Sequence, residues 1–316
     1  MLSTDTGAVR DARLETLSTV LAGLMRRYQA RVPDVARVLQ VMTAAGLIQH
    51  AGAVENDHIA FRTMGVPHLG IASLEQIFLH YGYTRHDRYN FATKKLTAYW
   101  YRPPQAHFPR IFISELRVPE LSPQAQAIIT SYTDEVPHDP VRDLDLDDGQ
   151  AVDAFLHQPL WRTPTWADYQ TLLRESEFAA WVIYNRYYLN HFTVTVHNLP
   201  APYNTIASFN EFLVAHGFTL NDAGGTIKVS ADGNLIQSSL VAQIVPATFA
   251  DEHGGTLAQR IAGSYIEFAE RRVLPDFHDL PLDQLGREHR RDGFDAGNAD
   301  GIFESTYTHQ TRKQES

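Results

Sequence analysis

In the stretch Asp57-His58-Ile59-Ala60-Phe61-Arg62, polar and apolar side chains alternate as they do in a β-strand. A similar alternation recurs in Asn190-His191-Phe192-Thr193-Val194-Thr195-Val196-His197. Because successive side chains of a strand point to opposite faces, His58 and Arg62 share one face, and His191 begins the matching face of the second copy. A polar face on an otherwise apolar strand needs a polar partner, and we interpret that partner as a metal ion.

Each histidine strand is followed by a similar succession of predicted elements. The first precedes a helix that is capped at Ser73 and ends at Gly82, and the second precedes a helix over residues 205–216. Further strands are predicted at residues 83–89, 95–101 and 110–118, and then at residues 226–230, 235–245 and 264–270. This order predicts a duplicated βαβββ unit and an α+β fold in which the paired units form a curved sheet that lines a cleft.

Helical periodicity outside the repeated units predicts additional helices. Apolar residues recur at three- and four-residue spacing over residues 12–48, and helical patterns also occur around residues 124–132 and 166–184. The acidic run at residues 143–148 is interpreted as a solvated loop. The chain is thereby divided into an N-terminal helical segment (1–56), a first βαβββ unit (57–118), a mostly helical insertion (119–187), a second βαβββ unit (188–271) and a polar C-terminal tail (272–316).

Composition limits the classes of function that the chain can have. Of its 316 residues 44% are hydrophobic, which is enough for a large core. A formal net charge of −10 disfavours nucleic acid and anionic membranes as partners, and no apolar run approaches the ~20 residues of a membrane span. Because cysteine is absent, any metal must be held by histidine and carboxylate. We expect a cytoplasmic protein, and we make no prediction of its oligomeric state.

Two histidines at matching places in repeated units are brought together if the units pack with pseudo-twofold symmetry. A third ligand is expected from another strand of the same cleft, and Glu267 lies between apolar neighbours in the middle of the 264–270 strand. Two histidines and one carboxylate form the facial triad that leaves three positions open on Fe(II). We therefore predict that His58, His191 and Glu267 bind Fe(II).

Two other carboxylates remain rival ligands. Glu115 lies in the strand of the first unit that corresponds to the strand of Glu267. Glu270 takes the place of Glu267 if the register of that strand slips by one residue. Glu267 itself has a structural alternative, which is an ion pair with Arg271.

Polar residues near the triad are candidate substrate ligands. Arg62 lies about 13 Å from His58 along a strand, and a guanidinium is suited to hold a second carboxylate of a metal-bound substrate. A salt bridge to one of the candidate glutamates is the alternative role. Gln237 and Ser239 share one face of the 235–245 strand, where they either orient a substrate or satisfy the backbone of an edge strand.

Six motifs, taken together, carry a family resemblance. They are Asp57-His58-Ile59-Ala60-Phe61-Arg62-Thr63, Arg110-Ile111-Phe112-Ile113-Ser114-Glu115-Leu116, Gln237-Ser238-Ser239, Tyr265-Ile266-Glu267-Phe268-Ala269-Glu270-Arg271, Gly297-Asn298-Ala299-Asp300 and Phe303-Glu304-Ser305-Thr306. In these motifs the chain resembles the family of 2-oxoadipate dioxygenase/decarboxylase, also called 2-hydroxyglutarate synthase and formerly domain of unknown function 1338.

The resemblance implies a vicinal oxygen chelate fold with added helices and one Fe(II). It implies an enzyme that converts 2-oxoadipate and O2 to 2-hydroxyglutarate and CO2 in lysine catabolism. By motif, it assigns the metal ligands to His58, His191 and Glu267, the substrate-gripping arginine to Arg62, and a place near the substrate to Gln237.

Two other functions are compatible with the same fold. A metal-dependent lyase or isomerase of the glyoxalase type would turn over its substrate without consuming O2. A ligand-sequestering binding module of this fold would not need the ligand triad, and it would not bind Fe(II). Oxygen consumption and metal content therefore discriminate among the three functions.

Overall fold

The structure is a computed structural model that describes residues 3–251 and 254–314, with side chains from residue 7 onward. Its strands, in chain order, are β1 (Asn56–Met64), β2 (Thr84–Phe91), β3 (Leu96–Arg102), β4 (Arg110–Leu116), β5 (His191–Thr195), β6 (Lys228–Val229), β7 (Leu235–Ser239), β8 (Ile244–Ala250), β9 (Thr256–Ala262) and β10 (Tyr265–Arg271). Strands β8 and β9 form a hairpin. The other eight form one sheet in the order β2-β3-β4-β1-β5-β10-β7-β6.

This sheet consists of two similar halves that meet at β1 and β5. In each half the histidine strand is parallel to its neighbour, β1 to β4 and β5 to β10, and the strands beyond are antiparallel. Strands β1 and β5 run antiparallel, with His58 opposite Thr193 and Ala60 opposite His191. A twofold axis between these two pairs exchanges His58 with His191. The sequence therefore predicted the α+β fold and its duplicated units correctly.

Helices surround the sheet. They are α1 (Ser3–Arg31), α2 (Pro33–Ala44), α3 (Ile71–His80), α4 (Pro123–Thr133), α5 (Gly149–Phe155), α6 (Trp166–Glu175), α7 (Glu177–Asn185), α8 (Ile206–Ala215), α9 (Ala296–Phe303) and α10 (Thr308–Thr311). Helices α3 and α8 follow the two histidine strands and pack against β4 and against β7 and β10, respectively. None of the helices in the described ranges combines the length and the apolar character needed to cross a membrane.

Helix α3 begins differently from the prediction. It starts at Ile71, and Ser73 lies inside it, where its hydroxyl donates to Asp139 at 2.7 Å. The N–H of Ile71 donates to Glu115 Oε2 at 2.8 Å, so a distant carboxylate replaces the predicted serine cap. The preceding residue, Gly70, has φ 82°, and a Cβ there would lie 2.2 Å from the same oxygen. Glycine is required at this close approach.

Two predicted elements are divided in the structure. The 235–245 strand ends at Ser239, and β8 then turns away to pair with β9, which the sequence analysis did not predict. Strand β9 is mostly exposed and lacks the apolar alternation that signals a strand. The 166–184 helix is two helices, because the Ser176 hydroxyl accepts from the N–H of Ala179 and starts α7 anew.

The acidic run and the C-terminal segment also have specific places. Asp148, at the end of the acidic run, caps the unpredicted helix α5 by accepting from the N–H groups of Gln150 and Ala151. Within the segment predicted as a polar tail, Phe294, Ile302 and Phe303 are buried. This segment, which includes α9, covers the face of the sheet that carries the histidines.

Candidate metal centre

The side chains of the two dyad-related histidines meet at the centre of the sheet. His58 on β1 and His191 on β5 are 1% and 5% exposed, and their Nε2 atoms lie 3.4 Å apart. Their rings are edge-on to each other, with an interplanar angle of 85°. Both strands are apolar on the opposite face, which packs into the core, so the polar face of each strand is directed to the same point.

Glu267 completes the cluster from β10. Its carboxylate is buried, with Oε1 3.4 Å from His58 Nε2 and Oε2 3.1 Å from His191 Nε2. Strand β10 lies next to β5 and places Glu267 opposite Thr193, which is itself opposite His58. One row across three strands therefore holds two of the three candidate ligands, and the third comes from the adjacent row.

These three side chains fit a divalent metal ion. One donor atom from each of His58, His191 and Glu267 can be chosen so that all three lie within 4.8 Å of one another. Ligand atoms at ~2.1 Å from an octahedral ion and at right angles to each other are about 3.0 Å apart, close to the distances that separate these donors. Two imidazoles and one carboxylate, each adjacent to the others, match the facial triad of non-haem iron sites. The three predicted ligands are thus brought together.

The proton state of His58 depends on its acidic neighbours. Burial alone would lower the pKa of His58, but Glu267 and Asp57 hold this pKa above its usual value. The pKa of His191 is far below its usual value because of burial and the positive charges of His58 and Arg62. A metal needs both imidazoles neutral at the donor nitrogen, so protonation of His58 would compete with metal binding.

Asp57 holds His58 from the side away from the other two ligands. Its Oδ1 lies 2.8 Å from His58 Nδ1, and Arg271 donates to its two oxygens at 2.6 and 2.8 Å. Burial alone would raise the pKa of Asp57, but the charges of Arg271 and Arg110 hold this pKa well below its usual value. Because the carboxylate can only accept, it keeps the imidazole proton on Nδ1 and leaves the Nε2 lone pair for a metal.

His191 has an amide in the corresponding place. Oδ1 of Asn190 lies 3.0 Å from His191 Nδ1, and Nδ2 of Asn190 has no hydrogen-bond partner within the described residues. Asp57 and Asn190 each immediately precede a ligand histidine, so the twofold axis relates them as well. The two imidazoles are therefore held by chemically different groups, one charged and one neutral.

Neither rival carboxylate lies at the centre. Glu115 binds the N–H of Ile71 at the start of α3, and Glu270 binds the N–H of Ile206 at the start of α8, each at 2.8 Å. The two glutamates have the same role because β4 and β10 lie beside their histidine strands in the same register. Under the twofold axis Glu115 corresponds to Glu270, and both anchor the helix that follows a histidine strand.

The same registers place Phe112 in the position that corresponds to Glu267. His58 is opposite Arg110 and His191 is opposite Tyr265, so the residues two positions further along, Phe112 and Glu267, are equivalent. Phe112 stands beside Phe294, whose ring centroid is 4.8 Å from that of Phe112 and 4.7 Å from that of His58. An apolar wall therefore occupies the place of a possible fourth ligand.

A small cavity separates the ligands from this wall. It measures about 20 Å³, and its apolar side is formed by Phe112, Phe294, Ala299, Ile302 and Phe303. Four of these five residues belong to the C-terminal segment. The segment predicted as a polar tail thus supplies most of the apolar side of the candidate centre.

Arg62 lies on the same face as His58 and is almost fully buried. Its Nη1 donates to Thr306 Oγ1 and its Nη2 to the carbonyl oxygen of Phe303, both at 2.9 Å. The guanidinium also lies over the rings of Phe178 and Trp181, at 5.0 and 5.3 Å from their centroids. A salt bridge from Arg62 to one of the candidate glutamates does not occur among the residues that the structure describes.

Tyr265 stands between Arg62 and the metal ligands. Its ring lies on that of His191, with centroids 4.8 Å apart, and its hydroxyl is close enough to Arg62 to interact with it electrostatically. Neither the Tyr265 hydroxyl nor Arg62 Nε makes a hydrogen bond of good geometry with any described residue. These two buried polar groups therefore face each other next to the triad.

Gln237 and Ser239 have different surroundings. Gln237 Nε2 donates to Glu267 Oε1 at 2.6 Å, and Gln237 Oε1 accepts from Asn298 Nδ2 at 2.9 Å, so a chain of amides positions the carboxylate ligand. The Ser239 hydroxyl is 2.9 Å from that of Ser305. Strand β7 is an interior strand, not an edge strand, so the backbone alternative for these two residues does not apply.

Sequence reasoning missed several residues of the centre. Asp57 and Asn190 had a usable signal, because an acid or an amide directly precedes each histidine. Asn298 lies in one of the motifs, but no spacing in the sequence indicates its contact with Gln237. Phe112 had no local signal, since its position opposite the ligands follows only from the register of two strand pairs.

Comparison with known proteins gives the chain its relatives. A curated 2-oxoadipate dioxygenase/decarboxylase, chloroplastic/amyloplastic, from Oryza sativa subsp. japonica is 42% identical over 307 residues, which cover 94% of this chain and 80% of the relative. A crystal structure of the hydroxyglutarate synthase from Oryza sativa in complex with 2-oxoadipate is 40% identical, with a TM-score of 0.85 and coverage of 96% and 95%.

A third comparison confirms the predicted fold class. A putative glyoxalase superfamily protein from Ralstonia eutropha JMP134 is similar in structure, with a TM-score of 0.67 and 25% identity over 90% of this chain and 87% of that one. The vicinal oxygen chelate architecture is therefore the correct one. Residues 20–280 match the sequence profile of 2-oxoadipate dioxygenase/decarboxylase. The chain belongs to the 2-oxoadipate dioxygenase/decarboxylase family, as its motifs predicted.

Proposed function

We propose that this chain is an Fe(II)-dependent dioxygenase that converts 2-oxoadipate and O2 to 2-hydroxyglutarate and CO2. The observation that carries the proposal is the convergence of His58, His191 and Glu267 at one buried point. The name of the rice relative and the 2-oxoadipate bound in the rice structure support the reaction and the substrate. Iron is favoured over other metals by the donor set, since two imidazoles and one carboxylate are typical of Fe(II) oxygenases.

Ferrous iron, when bound, would supply the open positions at which an oxo acid and O2 react. The chain's own residues prepare the ligands. Asp57 keeps the proton of His58 on Nδ1, and Gln237, held by Asn298, donates to Glu267 and orients its carboxylate. The wall that includes Phe112 and Phe294 makes one side of the centre apolar.

Arg62 is proposed to bind the second carboxylate of the substrate. Its Nε makes no hydrogen bond of good geometry with a described residue, and a buried guanidinium pairs strongly with a carboxylate. An oxo acid with a single carboxylate would leave this charge unpaired, which favours a dicarboxylate of suitable length. We keep Gln237 and Ser239 as proposed substrate-binding residues, with Gln237 the better placed of the two because it lines the cavity.

Substrate binding requires room that the cavity does not yet provide. Its volume of about 20 Å³ exceeds the ~10–15 Å³ that one water molecule needs, but it is far too small for a six-carbon oxo acid. A bound oxo acid must therefore displace part of the C-terminal cover, and Phe294 and Phe303 are the largest side chains at that boundary. This segment would close over the substrate again during turnover.

The deciding experiment loads the protein with Fe(II) under anaerobic conditions, adds 2-oxoadipate, and then admits O2. We expect O2 consumption, CO2 release and 2-hydroxyglutarate in equal amounts. Glu267→Gln should abolish turnover, whereas Glu270→Gln, on the same strand but at the start of α8, should retain it. Turnover without O2 consumption would indicate a lyase or isomerase of the glyoxalase type, and a protein that binds no Fe(II) would indicate a sequestering module.

The cellular setting belongs to the same proposal. We place the reaction in lysine catabolism and in the cytoplasm, whereas the name of the rice relative assigns that protein to plastids. Deletion of the gene should cause 2-oxoadipate to accumulate during growth on lysine. Fractionation of the source cells tests the compartment.

A further inference from the structure

A second pocket lies on the far side of Asp57 from the candidate metal centre. It is lined by four arginines, Arg110, Arg271, Arg287 and Arg290, and by the carboxylates of Asp57 and Glu55. The two strands β4 and β10 contribute Arg110 and Arg271, and the C-terminal segment contributes the other two. The cavity measures about 50 Å³, which is enough for one small anion.

The positive charges in this pocket are not fully paired. Arg271 uses four of its five N–H donors, which bind both oxygens of Asp57 and the carbonyl oxygens of Arg291 and Gly293. Arg110 is 2% exposed, and its Nη2 has no hydrogen-bond partner in the described part of the chain. Its Nε donates to Asp292 at 2.5 Å, and its Nη1 makes only a long contact of 3.3 Å with Asp57.

The two arginines of the C-terminal segment are bonded to carbonyl groups alone. Arg287 donates to the carbonyl oxygens of Ala106, Phe108 and Asp57, and Arg290 donates to that of Arg271. Within residues 3–251 and 254–314, neither makes an ion pair with a carboxylate. The second carboxylate of the pocket, Glu55, is exposed and accepts from Asn198 at 2.6 Å.

Crowded positive charge shifts the pKa of two of these arginines. Burial and the neighbouring charge of Arg271 lower the pKa of Arg110 to about 9, although Asp57 opposes the shift. The pKa of Arg287 is lowered by burial and by Arg271 as well. Guanidinium groups held this close together in a partly dry pocket favour an additional negative charge.

We propose that this pocket is a binding site for a small planar oxyanion, either a carboxylate or bicarbonate. A planar anion matches the fork of guanidinium donors and can accept from Arg110 Nη2, which no protein group satisfies in the described residues. The bound anion would hold the C-terminal segment against β4 and β10 at Arg287 and Arg290. The site does not depend on the reaction proposed above, because none of its arginines is a metal ligand.

The test is thermal unfolding of the full chain at constant ionic strength. Formate, acetate or bicarbonate replaces a bulky sulfonate buffer anion that is too large for the cavity. We expect a saturable rise in Tm of at least about 2 °C, because a ligand that binds only the folded state stabilises it. Tighter binding of bicarbonate would identify dissolved inorganic carbon as the source, and tighter binding of formate or acetate would identify an organic acid.

Variants connect the effect to the pocket. In Arg290→Gln, the anion concentration that gives half of the maximal rise in Tm should be at least tenfold higher. Arg287→Gln combined with Arg290→Gln should remove the rise in Tm. Arg174→Gln, on α6 and outside the pocket, should respond as the unchanged chain does. If the double variant does not fold, binding is measured by the line broadening of 13C-formate. Arg290→Gln should broaden the formate signal less than the unchanged chain does. An equal response in Arg290→Gln, or a response to sulfate alone, would overturn the proposal.

Discussion

Replacement of Asp57 by asparagine should weaken metal binding by its effect on one ligand, the imidazole of His58. The carboxylate of Asp57 can only accept the proton of His58 Nδ1, at 2.8 Å, whereas an amide can also donate to that nitrogen. Donation would stabilise the tautomer that carries its proton on Nε2, the atom that faces Glu267 and His191. Loss of such an outer hydrogen bond typically lowers metal affinity about 10- to 100-fold, or about 1.4–2.7 kcal/mol.

The substitution also affects folding, because it leaves a buried charge without its partner. Arg271 is fully buried and donates twice to Asp57, so Asp57→Asn should cost about 3–5 kcal/mol of unfolding free energy. Metal affinity is therefore measured by calorimetry with Co(II) on protein that circular dichroism shows to be folded. Asp57→Glu, which retains the charge for Arg271 but moves the acceptor, provides a second variant if asparagine prevents folding.

The dyad-related residue supplies the matched control. Asn190 holds His191 with a neutral amide, and a serine hydroxyl can also accept from His191 Nδ1, so Asn190→Ser should lower metal affinity less than Asp57→Asn does. Equal losses in the Asp57 and Asn190 variants would mean that the two imidazoles are held equivalently. An unchanged affinity in folded Asp57→Asn would refute the argument that the carboxylate selects the tautomer.

Three further predictions follow from the same geometry. Phe112→Glu should add a fourth ligand, tightening Co(II) binding about tenfold and abolishing turnover, whereas Phe112→Leu should leave metal affinity unchanged; no gain in affinity would contradict the dyad assignment. Arg62→Ala should raise KM for 2-oxoadipate about 10- to 100-fold and leave KM for 2-oxohexanoate nearly unchanged, because only the dicarboxylate loses a charged hydrogen bond; equal changes for both acids would exclude the clamp. Burial and Arg290 lower the pKa of His197 to about 3, so between pH 6.5 and about 3 the unfolded chain binds a proton that the folded chain does not. The free energy of unfolding should then decrease as the pH is lowered through this range, by up to about 1.4 kcal/mol per pH unit. Denaturant unfolding of His197→Asn should show a weaker dependence of this free energy on pH; an identical dependence would contradict this prediction.

The fold and the triad could be predicted from the sequence because both depend on short-range pattern. Alternation along β1, β5 and β10 identifies the face of each ligand, and the duplicated order of elements indicates that His58 and His191 face each other. Neither step requires knowledge of the strand order. The three ligands therefore converge as the sequence predicted.

What escaped prediction depends on contacts between distant segments. The role of Glu115 requires that a carboxylate on β4 reach the first N–H of α3, which no local pattern encodes. The cover formed by Phe294 and Phe303 was interpreted as a polar tail, because its apolar residues are too few and too widely spaced to signal a core element. Strand β9 was missed because most of its side chains are exposed.

The twofold relation between the halves explains why the centre must be asymmetric. Where a residue serves the fold alone, the halves agree, as Glu115 and Glu270 do at the starts of α3 and α8. A metal bound near the axis would receive ligands in pairs from two identical halves, so the protein could offer two or four but not three. An odd number of ligands arises only if the halves differ at one ligand position, and the registers locate that difference at Phe112 and Glu267. Because a phenylalanine stands where symmetry would place a carboxylate, a metal held by the three ligands would keep positions open for a substrate.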